Sequence, residues 1–139
     1  MVCIYCGNTK TQVTNSRLQK RVNTIWRRRS CAKCLAVFTT IEQPDLSTTI
    51  AVRINSKTLL PLQRDKLLVS IYDSCKHRAT AYEDATELTK TCIADIIQSA
   101  VSGVVDRNAI VAITGSVLDR FDKVAATMYR AYHPLKAIT

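Results

Sequence analysis

The sequence predicts an α+β chain in two parts, a small β module at the N-terminus and an α-rich domain that opens on a β-hairpin. Three observations carry that prediction. Two C-x-x-C pairs lie within the first 34 residues, positive charge is concentrated in the same stretch, and helical spacing of apolar residues sets in after Pro61. The chain has 139 residues, 47% hydrophobic and 22% charged, with a formal charge of +9. That composition belongs to folded domains and excludes wholesale disorder. No stretch approaches the roughly 18 apolar residues of a membrane span, and Met1-Val2-Cys3 begins no secretory leader. The expected setting is the cytoplasm, where thiols stay reduced and paired cysteines hold metal more often than each other.

Charge separates the two parts. Residues 1–42 carry eight basic side chains (Lys10, Arg17, Lys20, Arg21, Arg27, Arg28, Arg29 and Lys33) against Glu42 alone, a net +7. The remaining residues carry twelve basic and ten acidic side chains, a net +2. A concentrated positive field on a small module points to a polyanionic partner, and the nearly neutral remainder to a different job. The bland alternative is a solvated basic face. Proline and polar residues in Glu42-Gln43-Pro44-Asp45-Leu46-Ser47 mark a linker, which places the modules at residues 1–43 and 49–139 with a connection at 44–48.

In the first module, Cys3-Ile4-Tyr5-Cys6 and Cys31-Ala32-Lys33-Cys34 are two knuckles separated by 24 residues. Each offers two thiolates on one side of a tight loop, and Zn²⁺ takes four such ligands tetrahedrally, so Cys3, Cys6, Cys31 and Cys34 are the expected metal ligands. Gly7 stands where a positive φ lets the first turn close. Thr11–Thr14 and Val37–Ile41 are the expected strands. So short a module buries little core, and metal would supply most of its folding free energy. The competing readings are a disulfide pair and a thioredoxin-like redox site. Just before the second knuckle, Ile25-Trp26-Arg27-Arg28-Arg29-Ser30 supplies guanidinium groups suited to phosphate and to guanine edges. In an extended strand Arg27 and Arg29 share one face and Arg28 takes the other. Trp26 is either core or a stacking surface, and the core role is preferred.

These motifs resemble the bacterial NrdR family of transcriptional repressors of ribonucleotide reductase genes. Cys3-x-x-Cys6-Gly7, Asn15-Ser16-Arg17, the Ile25–Arg29 cluster, Cys31-x-x-Cys34 and Phe38-Thr39-Thr40-Ile41-Glu42 occur in that family's order. The family joins a zinc ribbon to an ATP-cone domain. The resemblance implies that Arg17, Arg27, Arg28 and Arg29 contact double-stranded DNA, that ATP and dATP act as effectors, and that the protein is a homo-oligomer. This chain departs from the family at Asn15 (usually Asp), Trp26 (the first of four arginines) and Val37 (an arginine).

The second module is expected to begin with a strand over Thr48–Ile54, a turn at Asn55-Ser56-Lys57 and a return strand at Thr58–Leu60. Leu67, Leu68, Ile71, Tyr72 and Cys75 then fall on one face of a helix. A second helix covers Tyr82–Val101, with Leu88, Cys92, Ile96 and Ile97 buried. Asp106 is the expected N-cap of a third carrying Ile110, Ile113, Val117, Leu118 and Phe121, and a fourth runs from Lys123 to Tyr132. Hairpin followed by helices is similar to the ATP-cone. By that resemblance Lys66, in Gln63-Arg64-Asp65-Lys66-Leu67, is the phosphate-binding lysine, and Arg53 aligns with a cation of the strand motif. The alternative for both is an ordinary solvated cation. Ile54 stands where the family commonly has a second basic residue, and Leu60 near the position of the glutamate with which the family usually reads the base. Leu118–Ala125 and Ala126–Tyr132 resemble two further family segments, with about one helical turn fewer residues between them.

Cys75 and Cys92 read as buried hydrophobes, His77 as a helix-end cation, and His133 as a residue without ligand partners. No arrangement suggests an active site, so no enzyme is expected. The expected function is a nucleotide-responsive, DNA-binding repressor containing Zn²⁺. Two alternatives remain: a zinc ribbon that binds nucleic acid or protein constitutively on an oligomerising scaffold, and an enzyme regulator.

Overall fold

The computed structural model describes residues 1–135, so the last four residues of the expected second domain lie outside the described residues. The chain divides into two compact units, Met1–Pro44 and Asp45–Thr139.

In the first unit, β1 (Thr11–Gln19), β2 (Thr24–Cys31) and β3 (Val37–Glu42) form an antiparallel sheet in that order. A short 3₁₀ turn, Lys20–Val22, joins the first two, and Asn23 adopts the left-handed conformation (φ 47°) that asparagine tolerates. β1 runs well past its expected end at Thr14. An extra residue there interrupts the register between the pairs Val13↔Arg29 and Asn15↔Arg28, and the Thr14 hydroxyl donates to the Arg28 carbonyl (3.2 Å). The buried residues of this unit are Cys3, Cys31 and Phe38. Trp26 is not among them and is half-buried. The expectation of a core tryptophan is thereby corrected, and the reason is strand alternation. Trp26 pairs with Ile41 while Arg29 pairs with Phe38; three residues apart on one strand, Trp26 and Arg29 face opposite sides, so Trp26 turns away from the Phe38 core.

The second unit begins with a correction to the linker and the first strand. Leu46–Thr49 is a helical turn, α1, because the Asp45 carboxylate accepts from both the backbone N–H (3.0 Å) and hydroxyl (2.6 Å) of Ser47. The strand β4 is confined to Ala51–Arg53. The Asn55 side chain closes the hairpin turn by accepting from the N–H groups of Lys57 and Thr58 (both 2.9 Å). The return strand β5 is Leu59–Pro61, one residue later than expected. Helices α2 (Arg64–Cys75), α3 (Ala81–Ser99), α4 (Arg107–Phe121) and α5 (Lys123–Tyr132) follow. Between α3 and α4 lies an unexpected strand, β6 (Val104–Asp106), paired in parallel with β4, so the sheet order is β5-β4-β6. Gly103 turns the chain into β6 at φ 75°, with the Thr49 carbonyl 3.2 Å from where a Cβ would stand.

One apolar core joins sheet and helices through Val52, Leu62, Leu67, Ile71, Cys75, Cys92, Ile96, Val105, Leu118 and Tyr129. Cys75 and Cys92 are fully buried, as their apolar spacing implied. Ile97 and Phe121 stay substantially exposed, contrary to expectation; Val111 and Thr114 take inward positions on α4 instead. At the junction of α4 and α5, the Asp122 carboxylate caps α5 by accepting from Val124 N–H (2.8 Å) and Ala125 N–H (3.1 Å). It also receives Arg78 (3.1 Å) and stands 3.1 Å from His77 Nε2, giving that histidine a carboxylate partner across the fold. No helix of the described residues is long and apolar enough to cross a membrane.

Candidate metal centre, nucleic-acid face and ligand pocket

The two knuckles fold alike. Gly7 N–H donates to the Cys3 carbonyl (2.9 Å) and Leu35 N–H to that of Cys31 (3.1 Å). Both residues have positive φ, 69° at Gly7 and 58° at Leu35. Glycine takes that conformation freely, as expected of Gly7, whereas Leu35 accepts a cost of about 1–2 kcal/mol. The result is that the sulfurs of Cys3, Cys6, Cys31 and Cys34 all lie within 4.8 Å of one another. Cys3 Sγ stands 3.7 Å from Cys34 Sγ, and Cys6 Sγ 3.7 Å from Cys31 Sγ. Zn–S bonds of about 2.3 Å in a tetrahedron give S···S edges of about 3.8 Å, so the donor set and its spacing fit Zn²⁺. All six cysteines are free thiols.

The electrostatics of the cluster favour a cation at its centre. The backbone N–H of Cys34, with help from Lys33 N–H and the Asn8 amide, lowers the Cys31 thiol to about 6. Cys34, despite the Ala36 N–H that favours its thiolate, is pushed up to about 12 by burial and by the sulfurs of Cys6, Cys31 and Cys3. Four neighbouring thiols resist becoming four thiolates, and a central divalent cation reverses that repulsion.

The arginines divide by strand alternation. Cross-strand partners share a face, so Arg17, Trp26 and Ile41 form one row, with Asn15, Arg28 and Thr39 beside it on the same side. The slack taken up at Thr14 keeps Arg17 in that row. Arg27 and Arg29 point to the other side, as the sequence implied for an extended strand, and there they are engaged. Arg27 pairs with Glu42 (3.0 Å), and Arg29 Nε donates to Thr40 Oγ1 (3.2 Å). Arg17 and Arg28 are exposed and, among the described residues, have no side-chain partner. Trp26, Arg17, Leu18 and Gln19 line a shallow recess.

The second unit contains a pocket of about 310 Å³. Val52, Leu60, Leu62, Leu67, Ile110 and Tyr129 supply apolar walls. Lys66 lines it, and so does Ile54. Arg53 does not. Its position on β4 alternates with Val52, and its guanidinium reaches Asp106 (3.4 Å), its partner in the parallel register. Asp106 stands at the N-cap position of α4 but makes no side-chain cap bond. Two basic residues that sequence reasoning did not assign to the pocket, Arg107 and His133, line it as well. Arg107 was findable as the first helical residue after the expected N-cap. His133 was not, because only tertiary packing brings the end of α5 over the hairpin.

Comparison with known proteins places these features in a family. Residues 1–42 match the family model described as "Transcriptional repressor NrdR-like, N-terminal domain". A transcriptional repressor NrdR of Halomicrobium mukohataei is 30% identical over 140 residues, covering 95% of this chain and 83% of its own. One from Polaromonas is 31% identical over 97% of this chain and 92% of its own. Another, from Acetivibrio thermocellus, is 32% identical over 95% and 89%.

Proposed function

Because this chain belongs to the NrdR family of transcriptional repressors, we propose that it is a zinc-dependent, nucleotide-responsive repressor whose first unit grips operator DNA and whose second senses ATP and dATP. The observation that carries the reading is the set of four sulfurs at tetrahedral spacing immediately beside an arginine-bearing strand. Cys3, Cys6, Cys31 and Cys34 would hold the ion, which supplies cross-linking in place of a core and so fixes β2 before DNA arrives. Arg17 and Arg28 are the primary phosphate contacts, with Trp26 between them packing against the sugar-phosphate edge. Arg27 and Arg29 brace the sheet and add to the positive field.

Lys66 faces the pocket of the second unit as the nucleotide's phosphate partner. Arg53 acts at one remove, as a positioning residue that holds Asp106 and hence the start of α4. Nucleotide occupancy changes how copies of the second unit associate, and thereby the spacing of paired ribbons on two half-sites. The targets implied by the family are ribonucleotide reductase genes, and the site of action is the cytoplasm, at the nucleoid. The role is regulatory and not catalytic.

A second reading has one observation in its favour. With Arg53 turned to Asp106 and Ile54 lining the pocket, the hairpin contributes no free cation to it, which suits a constitutive DNA-binding protein. The deciding measurement is DNA binding by the zinc-loaded full chain on a ribonucleotide reductase promoter, titrated with ATP and then dATP. A shift in affinity of at least about fivefold, lost together with the nucleotide-dependent change in oligomer mass in Lys66→Ala, is expected. Unaltered binding in both nucleotides establishes the constitutive reading, and absence of DNA binding overturns both.

A further inference from the structure

Three basic side chains converge on the pocket from three separate elements. Lys66 comes from the first turn of α2, Arg107 from the first residue of α4, and His133 from the residue that follows α5. The last two are fixed in place. The His133 ring stands 4.5 Å from that of Tyr129 at 35°, and Tyr129 is only 2% exposed, so the imidazole rests on an immobile platform. His133 N–H donates to the Tyr129 carbonyl (2.9 Å), and Arg107 donates to the Pro134 carbonyl (3.4 Å), tying the segment after α5 back to α4. The titratable and charged groups facing His133 are Tyr129 on its own helix, Arg107 from α4 and Lys66 from α2. No carboxylate lines the pocket among the described residues.

Such a rim is short of negative charge. Burial first, and then the Arg107 guanidinium, push His133 below the ordinary histidine value, so the imidazole is neutral near pH 7. A polyphosphate between these groups supplies the missing anion and favours the imidazolium. Resting on the nucleotide-binding reading above, we propose that Arg107 and His133 join Lys66 as the phosphate-binding rim of this pocket, and that His133 takes up a proton from solvent when a nucleoside polyphosphate binds. The ligand then prefers the protonated site, and its affinity rises as pH falls through the histidine range.

Calorimetry of the full zinc-loaded chain with ATP, in buffers of different ionisation enthalpy, reads the proton directly. Between about pH 7.5 and about pH 6, affinity for ATP should tighten roughly three- to tenfold more in the wild type than in His133→Gln, the comparison cancelling protonation of ATP itself. Proton uptake near pH 6.5 should be lost in the variant. Adenosine, which lacks phosphate, should bind without uptake. Arg107→Gln should weaken ATP binding while leaving adenosine binding unchanged; equal loss of both would reveal a structural role and overturn the assignment of Arg107. Equal uptake and equal pH dependence in wild type and His133→Gln overturn the role of His133 while the nucleotide reading stands. Absence of ATP binding at every pH overturns that reading, and this inference with it.

Discussion

The division of arginines between the two faces of the ribbon sheet predicts an inequality among substitutions that alter net charge identically. Arg28→Ala and Arg27→Ala each remove one positive charge, yet Arg28 is exposed and, among the described residues, has no side-chain partner, whereas Arg27 lies 3.0 Å from Glu42. Each arginine that neutralises a DNA phosphate steepens the dependence of log K on log salt by about 0.9. Raising salt from about 50 to about 200 mM therefore removes about 3.5-fold in affinity per phosphate contact, and that increment should vanish when the contact is deleted. Arg17→Ala and Arg28→Ala should each flatten the salt slope by about 0.9 per ribbon. Arg27→Ala and Arg29→Ala should weaken binding less and flatten the slope by no more than about half as much, because their guanidinium groups are already engaged within the sheet. Fluorescence anisotropy on one operator duplex across a salt series, with metal content held constant, makes the comparison. Equal slopes for all four variants, or a larger change for the Arg27 face, would refute the assignment of the contact surface.

Two other outcomes follow from the structure. Elemental analysis of natively purified protein should find one Zn²⁺ per chain, and chelation should abolish DNA binding and expose the Phe38 core, with thiol titration rising by four groups at the cluster; DNA binding that survives chelation rejects the metal's role. Asp122→Ala should lower the melting temperature by ~5 °C through loss of the α5 cap and of the Arg78 pair. The Ala125 N–H, then His77, Arg78 and the Val124 N–H, hold the Asp122 carboxyl well below the usual carboxylate range. A depressed value contributes stability above the unfolded value near 3.9, lost as pH falls through the folded one, so the gap between variant and wild type should narrow below about pH 3.9. A gap of the same size at pH 7 and about pH 3 contradicts that linkage.

Local pattern and tertiary placement separate what was legible in the sequence from what was not. Apolar spacing located α2 and α3 closely, since a helix writes its buried face into every third or fourth residue. The knuckles were legible because ligand spacing is itself a geometric constraint. The turn at Leu46–Thr49 was not, because Leu46 and Ser47 read as linker and Thr48-Thr49 as strand by propensity, while one carboxylate, Asp45, tips the segment into a helix. The three residues of β6 exist as a strand only through their partners on β4. The same long-range pairing decided the site. A motif alignment groups Arg53 with Lys66, but the parallel register gives Arg53 to Asp106, and Arg107 and His133 line the pocket beside Lys66.

Thr14 makes β1 tolerant of length at one point. Removing it would make Val13 and Asn15 neighbours and close the ladder with every other pair intact. Forcing it into the ladder would slide each later residue by one place and carry Arg17 through to the Glu42 side. The bulge is thus where this strand can lose a residue without re-aiming an arginine.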